Sequence, residues 1–352
     1  MIGAGQKWAI LLVVVTVTVA GVLHSSEAGP VLVFAAAVVA LAGIAYVIGE
    51  ATNQLGNHLS AAATGIIQSA LGNLPELFVC VFALRAGSVE VVQAALIGSI
   101  LATAVLILGA AIIAGSVRYG VLKFASRTPR MIAVLLMLAV SALVLPTVAY
   151  ELHLPAGQHK AQLAVACAIV LLLVFAVSTW AMLQDGQRGV PAEARKRPHI
   201  WPLWLAASIL GIGAVATVLV SDWFVQALNP AILRLGISPS FAGMVVVALA
   251  SNTVGVVEIR LALQGKIDLA VSVALNGALQ VAIVLIPALI LISHFFIGGT
   301  SLTLAIPPIM AVAVGLSVLV VTLVCVDGRA DIVDGVALVG LYFLIAAIFW
   351  WG

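Results

Sequence analysis

A glutamate stands inside an apolar run, Gly65-Ile66-Ile67-Gln68-Ser69-Ala70-Leu71-Gly72-Asn73-Leu74-Pro75-Glu76-Leu77-Phe78-Val79. Burying that charge in lipid costs several kcal/mol, so Glu76 must face protein, water or a cation. Pro75 cannot donate to a helix ladder. In a helix running over 60–86 its ring displaces the carbonyl of Leu71, one turn away from Glu76. Gly72 lets an ion or a second helix approach the backbone, and Asn73 adds an amide oxygen. A carboxylate, an amide and a freed carbonyl are hard oxygen ligands, the set that a Ca²⁺-like ion prefers. The plain alternative is a proline-kinked packing helix with a protonated Glu76.

The elements that must position these groups are membrane helices. The chain has 352 residues, 64% hydrophobic and 8% charged, where a soluble domain carries about 25% charged residues. Apolar segments predict an all-α polytopic membrane protein with about eleven transmembrane helices. They fall near 8–24, 31–50, 60–86, 90–116, 130–149, 160–184, 201–221, 239–264, 268–293, 303–326 and 332–351. The expected organisation is an N-terminal helix in 1–30, a first repeat of five helices in 31–184, a cytoplasmic linker in 185–200 and a second repeat in 201–352. Lys7, Trp8–Leu23 and Ser26-Glu27-Ala28 have the outline of a secretory signal. The first helix is nevertheless expected to be retained.

Basic residues set the orientation. With the N-terminus inside, the cytoplasmic set is Lys7, Arg118, Lys123, Arg127, Arg130, Arg188, Arg195, Lys196, Arg197, Lys266 and Arg329. Only Arg85, Lys160 and Arg234 fall outside, and Arg260 lies within a helix. The C-terminus is then outside, in the cell (inner) membrane. The net charge of +2 implies no nucleic-acid surface. Cys80, Cys167 and Cys325 sit in apolar segments and read as packing residues, and no cofactor motif is visible.

The two halves repeat. Asn73 matches Asn252, Ala83-Leu84 matches Ala262-Leu263, Glu90 matches Asp268, and Gly98-Ser99-Ile100-Leu101 matches Asn276-Gly277-Ala278-Leu279. Five helices per half is an odd number, so the halves insert with opposite topology. Inverted repeats are a transporter architecture with the substrate site at the midplane. The matched helices each carry one intramembrane acid, Glu76 and Glu258.

These residues resemble a known family. Gly49-Glu50-Ala51-Thr52, Gly72-Asn73-Leu74-Pro75-Glu76-Leu77, Phe82-Ala83-Leu84-Arg85 through Glu90-Val91-Val92, and Gly98-Ser99-Ile100-Leu101 look like the first repeat of Ca²⁺/H⁺ antiporters, within the Ca²⁺/cation antiporter superfamily. The second repeat is similar through Phe241-Ala242-Gly243, Asn252, Lys266-Ile267-Asp268-Leu269-Ala270 and Gln280. The resemblance implies one leading helix plus two inverted five-helix repeats. It also implies cation efflux in exchange for protons, with one glutamate from each repeat at the site. This chain departs from the family in its second repeat, which usually reads Gly-Asn-Ala-Ala-Glu-His. Here Ser251, Asn252, Thr253, Val254, Gly255 and Val256 hold those positions, and Glu258 comes one turn later. The Gly-Ser-Ser run that precedes Gln280 in the family is Asn276-Gly277-Ala278. Thr103 and Asn53 also stand where the family usually has other polar residues.

The expected site is therefore Glu76 and Glu258 as alternating cation and proton carriers, with Asn73, Asn252 and the Leu71 carbonyl as oxygen ligands. Gly72, Ser99, Thr103, Asn276 and Gln280 are secondary candidates. The shift from 255 to 258 moves the second carboxylate by about 4.5 Å along the helix axis. Desolvation raises a carboxyl pKa and a bound divalent ion lowers it, so cation and proton compete for the same oxygens. Arg260 reads as a snorkelling side chain, or as a fixed charge that disfavours divalent ions. Glu50, Glu90, Asp268 and Asp327 lie at helix ends where solvation suffices, with Glu50 and Glu90 also placed to line an entrance. Asp331 and Asp334 are placed to cap the last helix. Three functions stay open: Ca²⁺/H⁺ exchange, exchange of a monovalent or another divalent cation, and a non-transporting paralogue that lost half its site. No protease or hydrolase motif appears in the helices.

Overall fold

A computed structural model describes residues 4–26, 28–58, 71–124, 127–188, 201–251, 255–297 and 301–351. The helices are α1 (Ala4–Ser25), α2 (Pro30–Gly56), α3 (Leu74–Arg85), α4 (Val89–Tyr119), α5 (Arg127–Glu151) and α6 (Lys160–Arg188). They continue as α7 (Leu203–Leu235), α8 (Pro239–Ser251), α9 (Gly255–Leu263), α10 (Ile267–Phe296), α11 (Pro308–Asp327) and α12 (Ile332–Trp350). A two-stranded antiparallel ribbon joins β1 (Leu122–Lys123) to β2 (Arg329–Ala330), with Leu122 opposite Ala330 and Lys123 opposite Arg329.

Among the described residues, nine helices are long and apolar enough to cross a membrane. The two expected spans that carry the acids, 60–86 and 239–264, are not among the nine. The described part of the first is Leu71, a turn at Gly72-Asn73, and then α3, which has only 12 residues. The second appears as α8 and the 9-residue α9, with 252–254 outside the described residues. Pro146 and Pro230 sit inside α5 and α7 without ending either helix.

The chain forms two compact units, one of 1–82 with 173–235 and one of 83–172 with 236–352. Each unit draws on both sequence halves, so the units cut across the repeats. In the first, α2 packs along α7, with Phe34 stacked on Phe224 at 5.1 Å and Ile48 against Gly213. A polar network ties three chain segments there. Glu50 Oε1 accepts hydrogen bonds from Gln6 Nε2 (2.8 Å) and Gln54 Nε2 (2.9 Å). Trp201, buried just before α7, donates from its indole to Gln6 (3.1 Å) and from its backbone to Gln54 (3.2 Å). α2 runs on to Gly56, so Glu50 is not at a helix end as expected but inside the helix, as a structural acceptor.

In the second unit α4 is the central helix, buried along most of its length. Its neighbours approach through small residues, as membrane helices do. A Cβ at Gly98 would lie 2.1 Å from the Met244 carbonyl oxygen of α8, and one at Gly243 would lie 2.4 Å from the Val91 carbonyl oxygen. Gly109 of α4 and Gly335 of α12 meet in the same way, each within 2.9 Å of the other's carbonyl oxygen once a Cβ is added. The segment before α11 folds inward, with Leu302, Leu304 and Ile306 buried. Gln93 donates to the Thr303 carbonyl (2.9 Å) and Thr147 to the Leu304 carbonyl (2.8 Å), so its backbone groups find partners away from water.

Candidate functional site

In the first unit the site begins at a helix break. Gly72 and Asn73 form a turn, and α3 starts at Leu74. Pro75 is the second residue of α3, where its missing N–H leaves no ladder bond unmade. The expected continuous helix over 60–86 is therefore interrupted at Gly72-Asn73, between Leu71 and Pro75. The break is made by the glycine–asparagine turn. The Asn73 carbonyl accepts from Leu77 N (2.9 Å), so the backbone oxygen of Asn73 is occupied while its buried amide nitrogen has no hydrogen-bond partner among the described residues. Glu76 lies in the first turn of α3 and is 2% exposed. The positive end of the helix dipole there favours a negative charge.

In the second unit Glu258 lies in the first turn of α9 and is 0% exposed. Both of its carboxylate oxygens are buried without a hydrogen-bond partner among the described residues. A buried carboxylate with no compensating donor is expensive. Gly255 packs on Ile107 of α4, and a Cβ at residue 255 would lie 2.9 Å from the Ile107 side chain. Any side chain at 255 would require Ile107 to shift, and the acid stands one turn further along. Arg260 is exposed and makes no hydrogen bond to Glu258.

The secondary candidates divide. Ser99 and Thr103 are buried in α4. The Thr103 hydroxyl donates to the Ser99 carbonyl (2.7 Å), and its methyl carbon lies 3.7 Å from where a Cβ on Gly277 would sit. Thr103 thus satisfies its own helix and leaves lone pairs on its oxygen. Gln280 is half-buried on α10, while Asn276 is exposed. Asn252 lies outside the described residues. Glu90 accepts from Ser240 Oγ (2.5 Å), which fixes it at the junction of α4 and α8.

Sequence reasoning missed the π-helical segments. Ala102–Ile107 in α4, Ala242–Val247 in α8 and Val281–Leu285 in α10 are wound with an extra residue per turn. Such bulges occur at functional sites. The alignment that pairs Gly98 with Asn276 carries Thr103–Ile107 onto Val281–Leu285, so the two halves share a backbone feature as well as residues. Among the described residues, no three His, Cys, Asp or Glu side chains converge on a point.

A sodium/calcium exchanger protein family model matches residues 29–184 and 205–351. The chain belongs to that family. Relatives of the exchanger include a Ca²⁺/H⁺ antiporter of Aphanothece halophytica, 29% identical over 345 residues, covering 93% of this chain and 91% of the relative. A Ca²⁺/H⁺ antiporter of Synechocystis is 28% identical, covering 91% of each. The solved structure of native YfkE superimposes with a TM-score of 0.83 at 24% identity, over 97% of this chain and 99% of that one. The expected all-helical, multi-pass transporter fold is therefore the fold of this exchanger.

Proposed function

We propose that the protein is a secondary active Ca²⁺/H⁺ antiporter in which Glu76 and Glu258 carry the exchanged ions. The observation that carries the reading is Glu258, a fully buried carboxylate whose two oxygens have no hydrogen-bond partner among the described residues. A proton or a cation can supply what the protein leaves out, and the two compete for the same oxygens. Family membership and the names of the relatives point to Ca²⁺ as the cation. Glu76, in the first turn of a helix that follows a Gly-Asn break, is the counterpart from the first repeat, with Asn73 beside it. Ser99, Thr103 and Gln280 are neutral oxygen donors for a partly hydrated ion, and Asn252 is the repeat counterpart of Asn73. Inverted repeats with broken helices support alternating access. The asymmetry of basic residues supports an N-terminus in the cytoplasm and a C-terminus outside, in the cell membrane.

Exchange of another cation is the second reading, and Gly255 favours keeping it in view. Gly255 stands where Ca²⁺/H⁺ antiporters usually carry the second acid, and Glu258 lies one turn beyond it. A proton-flux screen in everted vesicles across Ca²⁺, Na⁺, K⁺, Mg²⁺ and Mn²⁺ separates these. Proton release driven by Ca²⁺ supports the first reading, and a response to another ion alone supports the second. Silence for all five overturns both in favour of a non-transporting paralogue.

A further inference from the structure

We propose that the β1–β2 ribbon is a docking site for the phosphate of an anionic phospholipid. The ribbon has two faces. Leu122 and Ala330 point inward and are 5% and 1% exposed, while Lys123 and Arg329, the next pair along, are exposed. Lys123 and Arg329 are register partners, so their side chains leave the same face of the ribbon from opposed backbone positions. Like charges directly opposite each other destabilise a strand pair. No hydrogen bond or ion pair among the described residues joins either cation to a carboxylate. Asp331 and Asp334 are occupied in capping α12: the Asp331 carboxylate accepts from Val333 N (2.8 Å) and Asp334 Oδ2 accepts from Asp331 N (2.9 Å). Asp327 is exposed at the end of α11, two residues before Arg329.

The ribbon is also held in place. Phe124 N donates to the Gly328 carbonyl (2.9 Å), Phe124 is 2% exposed, and Leu122 packs against Gly115 of α4. Gly328 has φ +70°, the left-handed turn that brings β2 back alongside β1. Two cations thus share one face of a fixed ribbon, and among the described residues neither is ion-paired with Asp327, Asp331 or Asp334. Their position identifies the anion. Arg329 lies two residues past the end of α11, roughly 7 Å at full extension, and the headgroup layer beyond the hydrocarbon is about as thick. Orientation of the chain in the membrane requires only basic residues on one side, and does not require two of them to be opposed on a ribbon. A phosphodiester between Lys123 and Arg329 removes their repulsion and ties the loop after α4 and the loop after α11 to the bilayer. The proposal rests on α4 and α11 spanning the membrane and not on the exchange activity.

The test uses the full-length protein, delipidated in neutral detergent and titrated with phosphatidylglycerol or phosphatidylcholine, with bound lipid counted by native mass spectrometry. The expected result is a preference for phosphatidylglycerol that falls roughly 30-fold in K123Q/R329Q, a factor of about 5 for each cation near an anionic headgroup. Each single variant, K123Q or R329Q, loses about a 5-fold share, which keeps the test valid if the double variant folds poorly. The lipid-free thermal midpoint of the double variant is expected to be no lower than the parent's, because a repulsive pair has been removed. The control K7Q/K266Q, which removes two exposed basic residues elsewhere on the same expected side, retains the preference. The proposal is overturned if the double variant keeps the parent's preference, if the control loses it equally, or if inorganic phosphate alone blocks thermal stabilisation by the lipid at equal concentration.

Discussion

Glu258 and Arg260 lie two residues apart on α9 and face opposite ways: the carboxylate is fully buried and the guanidinium is exposed. Residues two apart on a helix do not share a face, so the separation is a consequence of helical geometry. The exposed position supports the reading of Arg260 as a snorkelling side chain over that of a fixed charge beside the buried acid. Arg260→Ala is expected to leave the order of ion preference unchanged in the vesicle proton-flux screen. A change in the ratio of Ca²⁺-driven to Na⁺-driven flux would show that the arginine's field reaches the cavity.

The second prediction concerns Glu258 itself. A buried acid with no hydrogen-bond partner among the described residues contributes nothing to the fold that a neutral side chain would lose. Glu258→Gln is expected to reduce Ca²⁺-driven proton flux to background while leaving the thermal midpoint in detergent at or above that of the parent. Activity and stability trade in this direction where a strained site is kept for function. A variant that transports normally, or one that unfolds several degrees earlier, would mark Glu258 as a structural residue.

The contrast between Glu258 and Glu50 shows what the sequence made legible. Hydropathy located nine of the eleven expected spanning segments among the described residues, because lipid demands long apolar helices. It also isolated Glu76 and Glu258, because so few charges interrupt those segments. The capping of α12 by Asp331 and Asp334 followed from local spacing. Other features depend on contacts far apart in the chain. Glu50 looks like any acid at a helix end until Gln6 and Trp201 are brought beside it from 44 and more residues away. Pro75 reads as a kink only if the helix is assumed to continue through Gly72-Asn73. The π-helical segments leave no mark in a run such as Ala102–Ile107, because backbone register is decided by neighbouring helices and not by apolar side chains.

The third prediction separates Glu76 from its preceding proline. Glu76→Gln is expected to abolish Ca²⁺/H⁺ exchange in everted vesicles, since the group that holds a cation is gone while the size of the side chain is kept. Pro75→Ala is expected to change stability by less than about 1 kcal/mol, because a proline in the first helical turn removes a donor that has no partner there. It is also expected to retain exchange. Loss of folded protein in Pro75→Ala would restore the picture of a proline that shapes a continuous helix.

The last prediction tests the packing that positions α9. Gly98 faces the backbone of α8, where a Cβ would stand 2.1 Å from the Met244 carbonyl oxygen and 2.5 Å from its Cα. Backbone atoms cannot rotate away as a side-chain tip can, so Gly98→Ala must push α4 and α8 apart. The loss should reach or exceed the ~1–3 kcal/mol typical of an overpacked core. Gly340, inside α12, has nothing within 4 Å of its Cβ position. Gly340→Ala therefore gains only helix propensity, about 1 kcal/mol in a helix interior. Thermal unfolding of the two variants in detergent is expected to move in opposite directions, down for Gly98→Ala and level or up for Gly340→Ala. Exchange should fail in the first and persist in the second, because α4 carries both the Gly98 contact with α8 and the Ile107 side chain against which Gly255 opens α9. Equal midpoints for the two variants would mean that α4 and α8 are not in backbone contact.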